Sequence, residues 1–363
     1  MKTRILQLLL MLLGHLTLAQ HHPYYIQASS TKVNARLGDY FLENAFTIQP
    51  DSQDTLGLNL PSDHDLLTFY TDHDSISFVY NPIIRPVFGI ILDGEDTSYF
   101  KIKYPDIDVN YLDTLKLSGG YDNMDDSPLN HISYLPSNGP KLVLIKQKYK
   151  LDSIAGTGNE ISQLINILAW VHNTFIHNGS LEVPPNNGID ELMDKCSAGA
   201  GTMHCGALSW TLNSCYAALG YKSRQVMCMP KDSTDMESHS INAVYSNTLE
   251  KWLWMDPTNF AYVMDDKGTL LSISEVRDKL LKDETLILNP DANWNRRTSI
   301  VKEEYLYRYM AKNLYAIQCW SDDWGNSKSN VLLPINHDGV YSRTKENNPK
   351  QTTNALLFWG NPN

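Results

Sequence analysis

The chain has 363 residues, of which 42% are hydrophobic and 20% are charged. This composition is typical of globular proteins and excludes a largely disordered chain, and the length allows two domains. The formal net charge of −11 at pH 7 repels phosphate backbones, so nucleic acid is not an expected partner.

The first 19 residues have the pattern of a secretory signal peptide. Two basic residues precede an apolar segment at residues 5–13, and small residues stand at positions 17 and 19, before the expected cleavage site. No cysteine occurs before Cys196, which excludes a lipid anchor at that site. No later segment reaches the roughly 18 apolar residues of a membrane span. The sequence therefore predicts an exported protein, secreted or periplasmic, without a membrane span.

Residues 20–145 are predicted to form a β-rich N-terminal domain. Four short runs in this region have the composition of strands and are separated by Asp, Asn, Gly and Pro, namely residues 66–70, 75–80, 87–92 and 99–102. Strands of this length and spacing are typical of a small sandwich. Residues 127–140 are expected to connect this domain to the next.

The pattern changes near residue 150 and predicts a second domain over residues 150–320. Helical spacing of apolar residues is followed by strand-like segments and then by further helical runs. The predicted helices begin near residues 159, 202, 272 and 303, and the predicted strands cover residues 223–229, 240–245 and 251–255. Helices followed by antiparallel strands indicate an α+β domain. Residues 321–363, with apolar runs at 331–333 and 355–358, are predicted to add strands and turns.

A glycine-rich loop leads into a helix that carries Cys205 in its first turn. Thr202 is the predicted N-cap, and Gly220 is the predicted left-handed residue that ends the helix. A thiol in this position lies at the positive end of the helix dipole, which favours the thiolate. The pattern predicts a nucleophilic cysteine, although a free cysteine taken by itself is more often a small buried apolar residue.

Two strands downstream are predicted to form a hairpin that brings His239 and Asp256 together. Residues 246–250 are the expected loop, and the register counted from it puts Asp256 opposite Ser240 or Ile241. One or two residues of slack in the turn would place the carboxylate beside the imidazole. A nucleophile, a histidine and an orienting carboxylate are the groups that acyl transfer requires.

Four motifs occur in a fixed order along residues 159–278. They are Cys205-Gly206-Ala207, residues 218–224, His239-Ser240 and residues 252–258. Cys205 and His239 are 34 residues apart, and His239 and Asp256 are 17 apart. In order and spacing the segment resembles the transglutaminase-like members of the papain-like cysteine fold. The resemblance implies a core in which the helix bearing the cysteine packs on an antiparallel sheet.

The same resemblance implies a catalytic triad and a reaction. Cys205 would be the nucleophile, His239 the general base and acid, and Asp256 the residue that orients the histidine. The implied protein is an exported cysteine hydrolase or acyltransferase, cysteine protease-like in its chemistry, with no cofactor and no metal. Its substrate would be an amide bond of a peptide, a protein or the cell wall. Hydrolysis by water and crosslinking through a lysine amine use the same triad, so both remain open.

A second hypothesis is a non-enzymatic binding or scaffold protein that uses the same fold. Ile241 and Ala243 stand where the family commonly has an aromatic residue and a glutamate, which favours this alternative. An intact set of three reactive groups argues against it, because a scaffold has no use for them.

Other residues near the motifs are interpreted as structural. His204 adjoins the cysteine, but successive helix residues point about 100° apart, so it is expected to face away. His172 and His177 are expected at the surface or behind the site. A zinc site formed by Cys196, His204 and Cys205 lacks the usual paired spacing. The backbone N–H of Cys205 is an expected oxyanion donor, and the sequence assigns no side chain to act beside it.

The chain contains five cysteines, an odd number for an exported protein. If Cys205 is the free thiol, four others are left for up to two disulfide bridges, which are Cys196, Cys215, Cys228 and Cys319. The sequence does not pair them.

Overall fold

The computed structural model describes thirteen segments of the chain, residues 24–37, 40–49, 56–59, 66–79, 87–103, 110–134, 136–179, 188–199, 201–233, 235, 237–321, 328–341 and 349–362. The predicted signal peptide, residues 1–19, lies outside them. The chain divides into two units, residues 1–108 and residues 109–363. Within the described segments, no helix has both the length and the apolar character that a membrane crossing needs.

The described residues of the first unit form two four-stranded sheets. One has the order β1-β7-β8-β4 and the other the order β3-β2-β5-β6. Their strands are β1 (Tyr24–Ala28), β2 (Lys32–Leu37), β3 (Tyr40–Thr47), β4 (Leu56–Asn59), β5 (Leu66–Tyr70), β6 (Ser75–Val79), β7 (Val87–Leu92) and β8 (Asp96–Lys103). The second sheet is antiparallel throughout, whereas β1 and β4 run parallel to their neighbours in the first.

The inner faces of these two sheets meet in an aromatic core. Phe69 of β5 stacks on Phe88 of β7 with 5.1 Å between ring centroids, and Phe88 stacks on Phe100 of β8 at 5.4 Å. All three rings are buried. Because alternate side chains of a strand point to one face, the aromatic residues of both sheets fill a single apolar layer between them.

The second unit is an α+β arrangement around a six-stranded sheet of order β11-β10-β9-β16-β17-β18. Its strands are β9 (Ser223–Met229), β10 (His239–Ser246), β11 (Lys251–Met255), β16 (Ala316–Trp320), β17 (Ser329–Leu332) and β18 (Lys350–Thr352). Short pairs outside this sheet are formed by β12 (Val263–Met264), β13 (Ile287–Leu288), β14 (Asn293–Trp294) and β15 (Thr298–Ser299). The sheet is antiparallel except for the β17–β18 pair.

Helices cover both faces of this sheet. They are α1 (Tyr111–Ser118), α2 (Pro140–Lys148), α3 (Leu151–Ala155), α4 (Glu160–Thr174), α5 (Ile189–Ser197), α6 (Cys205–Ala218), α7 (Ile273–Leu281), a π-helix (Glu303–Met310), α8 (Ala311–Asn313) and α9 (Ala355–Trp359). Val244 and Leu253 pack with α2 to α6 on one face, while Ile241 and Trp254 pack with α1, α7, the π-helix and α9 on the other. Strand β10 is consequently buried along its whole length.

The border between the two units differs from the one drawn on the sequence. The sequence places it at residues 145–150, whereas the chain divides between Asp108 and Val109. The described residues in between include α1, α2 and connecting loops. Leu115 and Leu142 are buried in the two cores of the second unit. Helices of eight and nine residues carry little periodic signal, and their stability comes mainly from this packing.

The prediction for the C-terminal residues is wrong at one point. Residues 355–358 are predicted as strand or turn, but α9 is a helix whose N-cap side chain, Asn354, accepts a hydrogen bond from the Leu357 N–H. A run of four apolar residues has no period that separates helix from strand. The other C-terminal segments do not stand apart, since β17 and β18 extend the central sheet.

Candidate active site

Cys205 is the first residue of α6 and lies at the positive end of the helix dipole. The N-cap is His204 and not the predicted Thr202, because Nδ1 of His204 accepts a hydrogen bond from the Ala207 N–H at 3.2 Å. Gly220 follows the helix with a φ of 90°, in the left-handed conformation predicted for it. The later start moves Cys205 to the first position, where its own N–H has no acceptor within the helix.

Three buried hydrogen bonds dock the first turns of α6 on the central sheet. The Gln225 side chain donates to the carbonyl of Gly206 at 2.8 Å, and the Asn242 side chain donates to the carbonyl of Ser209 at 3.0 Å. In return the Ser209 hydroxyl donates to the carbonyl of Ile241 at 2.8 Å. Each is worth about 1 kcal/mol net. Together they fix the position of the first turn of α6, and therefore of Cys205, relative to the start of β10.

The register of the hairpin brings His239 and Asp256 together. Ser246 pairs with Lys251, so Asp256 follows β11 at the position opposite Ile241. His239 and Ile241 are alternate residues of β10 and share one face of the sheet, so the imidazole lies diagonally across from Asp256. Its Nε2 donates a hydrogen bond to Oδ2 of Asp256 at 2.7 Å. The slack expected in the turn is therefore not needed. The two side chains are only 2% and 0% exposed, so the pair is shielded from water.

The carboxylate of Asp256 is surrounded by hydrogen-bond donors. Oδ1 accepts from the backbone N–H groups of Thr258 at 2.8 Å and Asn259 at 3.3 Å. Oδ2 accepts from His239, from the Tyr305 hydroxyl at 2.6 Å and from the Asn259 side chain at 3.0 Å. Burial raises the pKa of this carboxyl, but the charge of His239 and these hydrogen bonds outweigh it and hold the pKa well below its usual value. Asp256 is ionised and held in one orientation.

The thiol of Cys205 is partly exposed, and three imidazoles, those of His177, His204 and His239, act on it. Burial raises the pKa of this thiol, but the interactions with the three imidazoles and the charge of His239 outweigh burial and hold the pKa well below its usual value. Burial lowers the pKa of His239. The charge of Asp256, the hydrogen bond to Asp256 and the interaction with Cys205 raise it by more, so the net shift of this pKa is upward. These shifts favour a thiolate at Cys205 paired with an imidazolium at His239.

His177 and His204 are closer to the thiol than the sequence suggests. His204 is predicted to face away, but as the N-cap its ring folds back over the helix end. His177 is predicted at the surface or behind the site. An isolated β-bridge pairs it with Met203, two residues before Cys205, and so places it at the start of α6. A bridge of one residue leaves no pattern in the sequence. His172 is buried behind the site, where its Nδ1 hydrogen-bonds the carbonyl of Pro257, the residue after Asp256, at 3.0 Å.

Neighbouring donors determine the proton positions on two of these rings. The indole N–H of Trp294 donates to Nδ1 of His177 at 3.0 Å, as the Ala207 N–H does to Nδ1 of His204. Both donors lack a lone pair, so each Nδ1 is the acceptor and each Nε2 carries the proton. Rings in this state offer no lone pair to a metal ion. In the described part of the chain, no group of three or more His, Cys, Asp or Glu side chains is arranged to hold one.

The π-helix supplies two tyrosines that the sequence does not reveal. Tyr305 donates to Asp256, and the Tyr309 ring lies edge-on to the His239 ring with 5.3 Å between centroids. The sequence predicts a helical run at residues 303–315, but the apolar spacing does not show that its first part is a π-helix. π-Helical turns are rare in proteins, and those that occur are frequently found at functional sites.

The five cysteines all lie within the described residues, and all are free. Cys205 is partly exposed, and the other four are buried, namely Cys196, Cys215, Cys228 and Cys319. None of the bridges that the sequence allows is formed.

No family model and no curated protein matches the chain. Among solved structures, the chain is similar to a proposed cysteine protease from Cytophaga hutchinsonii, with 15% identity over 36% of this chain and 40% of that protein and a TM-score of 0.27. It is also similar to a transglutaminase from red sea bream, with 9% identity over 85% of this chain and 70% of that one and a TM-score of 0.24. The match thus spans less than half of the Cytophaga protein. TM-scores this low assign neither fold nor function.

Proposed function

We propose that this protein is a thiol enzyme that cleaves or transfers amide bonds, with Cys205, His239 and Asp256 as its catalytic residues. The observation that carries the proposal is the buried hydrogen bond of 2.7 Å between His239 and Asp256, with the same imidazole acting on the thiol of Cys205 at the start of α6. Burying an ion pair costs several kcal/mol of desolvation for each ion, and such pairs with shifted pKa values cluster at sites of chemistry.

The first half of the reaction forms a thioester on Cys205. The thiolate attacks the carbonyl carbon of the amide, and the C–N bond breaks as Nδ1 of His239 gives its proton to the leaving amine. Nδ1 faces the thiol because Nε2 is held by Asp256. In the second half, water or a primary amine loses a proton to Nδ1 and attacks the thioester. The thiolate leaves and the imidazolium is restored.

The expected substrate is an amide of a peptide, a protein or the cell wall. An exported location, predicted from residues 1–19, would bring the enzyme to such substrates outside the cytoplasm. Water as the acceptor makes the protein a hydrolase, and a lysine amine makes it a crosslinking acyltransferase. The resemblance noted above favours the hydrolase.

The proposal is tested with p-nitrophenyl acetate, an acyl donor that demands no particular peptide sequence. Mixing it with the protein is expected to add one acetyl group to Cys205, located by peptide mass. Repeating the reaction with and without a primary amine, and weighing the products, separates hydrolysis from transfer. Acetylation of surface lysines alone, with Cys205 unmodified, would contradict the proposal.

The scaffold hypothesis relied on Ile241 and Ala243. Their side chains are 0% and 1% exposed and pack into the core beside Trp254. Neither lines a surface that a substrate could reach, so their departure from the family pattern does not weaken the enzyme hypothesis.

Replacing Tyr305 with phenylalanine is expected to lower turnover about tenfold or more, because a hydrogen bond to a charged group contributes about 1.5–3 kcal/mol. The loss of one donor raises the pKa of Asp256, so the acid limb of the pH–rate profile should move to higher pH. Tyr307→Phe, on the same helix but without a hydrogen bond to Asp256, is the matched control. Equal profiles for the two variants would show that Tyr305 only fills space.

A further inference from the structure

The backbone around His177 is held independently of its imidazole. The Met203 N–H donates to the carbonyl of Ile176, and the Asn178 N–H donates to the carbonyl of Met203, both at 2.8 Å. The Asn295 side chain accepts from the His177 N–H at 2.7 Å and donates to the His177 carbonyl at 3.0 Å. The side chain of His177 can therefore be replaced without releasing the segment from the start of α6.

The imidazole of His177 is oriented by Trp294. Its Nδ1 accepts the indole N–H at 3.0 Å, and the two ring systems meet at 65° with 6.1 Å between centroids. Nε2 therefore carries the proton, and it is the nitrogen left to act on the thiol of Cys205, whose pKa His177 lowers. His177 cannot serve as a base in this state, because its lone pair is already engaged. It presents a fixed N–H group to the sulfur.

A fixed donor at this place has a use in the proposed reaction. Attack on an amide turns the carbonyl oxygen into an oxyanion on the carbon bonded to sulfur, and catalysis needs donors within about 2.7–3.1 Å of that oxygen. The N–H of Cys205, at the first position of α6, is one donor. A second donor must lie close to the sulfur and come from outside the helix.

We propose that His177 is this second donor, a catalytic residue that binds the oxyanion through its Nε2–H while Trp294 holds the ring in the donating form. This role rests on the proposed function. It differs from the role of His239, which exchanges a proton with the substrate, whereas His177 keeps its own.

The test compares two reactions of Cys205 in the same variants. Acylation by p-nitrophenyl acetate passes through an oxyanion, whereas alkylation by iodoacetamide displaces iodide and does not. His177→Leu is expected to slow acylation about 10²–10³-fold, the usual loss for one oxyanion donor. Alkylation, measured at a pH where its rate has levelled off, should change no more than about threefold. His177→Ala, tested alongside, removes the donor without adding bulk.

Two further variants make the comparison specific. His177→Gln offers an amide N–H near the same place and is expected to recover most of the acylation rate. His204→Asn keeps an N-cap acceptor but removes the other imidazole N–H, and is expected to change acylation and alkylation by similar factors, without the selective loss of acylation. Thermal unfolding of each variant checks the fold.

Three results would overturn the role of His177. They are unchanged acylation in His177→Leu and His177→Ala, equal slowing of acylation and alkylation, and a selective loss of acylation in His204→Asn instead. A wild-type protein that is alkylated at Cys205 but never acylated would reject the proposed function itself, and the role of His177 with it. The first three results leave the acylation of the wild-type protein intact, so the two failures are distinguishable.

Discussion

Replacing Cys205 with alanine is expected to abolish acyl transfer and leave the protein folded. The thioester can form only on this sulfur, so kcat should fall by about 10⁵–10⁶-fold, as when other enzymes lose their nucleophile. Because the side chain is partly exposed at the start of α6, the lost sulfur leaves a small cavity that costs about 1–2 kcal/mol. Ester turnover and the thermal unfolding midpoint measure the two effects separately.

The matched control is Cys215→Ala, the same substitution ten residues later on α6. Cys215 is fully buried in the core, so this variant should lose at least as much stability as Cys205→Ala while it keeps its activity. Full turnover in Cys205→Ala would contradict the proposed function, because the thioester could not form on this residue.

Replacing Asp256 with asparagine is expected to lower kcat by about 10⁴-fold and to change KM little, as for the equivalent change in a serine protease triad. Oδ1 faces the backbone N–H groups of Thr258 and Asn259, and Oδ2 faces His239 and the Tyr305 hydroxyl. The asparagine side chain would put its NH₂ group at one of these two oxygen positions, where it would face hydrogen-bond donors instead of acceptors. If it faces His239, the imidazole must turn or give up its Nε2 proton, and the imidazolium loses its charged partner.

Asn330→Leu provides the control for the loss of buried hydrogen bonds. Asn330 is buried on β17 and exchanges two hydrogen bonds of 2.8 Å with the backbone of Asn130. Its replacement should lower the free energy of unfolding without lowering kcat. If Asp256→Asn loses no more kcat than Asn330→Leu when both remain folded, Asp256 has no orienting role.

The elements around Cys205, His239 and Asp256 could be predicted because their signals are local. The α6 pattern ends at a glycine that takes the left-handed conformation, and the polar loop before Lys251 sets the register of the hairpin. That register places Asp256 opposite Ile241, one of the two positions counted on the sequence. Turn residues and apolar spacing carry this information within short stretches of chain.

Other parts of the site depend on contacts between distant segments. Tyr305 reaches Asp256 across 49 residues of sequence from a π-helix, whose wide turns the apolar spacing does not show. His177 reaches Cys205 through a single bridge to Met203, and Trp294 orients it from 117 residues away. A one-residue bridge and an indole hydrogen bond have no periodicity, so no pattern in the sequence marks them.

The most direct test of the central claim is the pH dependence of iodoacetamide labelling in the native protein, followed by peptide mass. The thiolate is the reactive form, and the pKa of Cys205 lies well below its usual value, so Cys205 should still be labelled rapidly at about pH 6. Burial raises the pKa of the remaining thiols, which should stay unlabelled, namely Cys196, Cys215, Cys228 and Cys319.

His239→Gln removes the positive charge beside the sulfur and should move the inflection of the Cys205 labelling rate to higher pH. A low inflection that rises in His239→Gln is the predicted result. An inflection near the ordinary thiol value of about 8.5, unchanged by His239→Gln, or uniform labelling of all five cysteines, would contradict it.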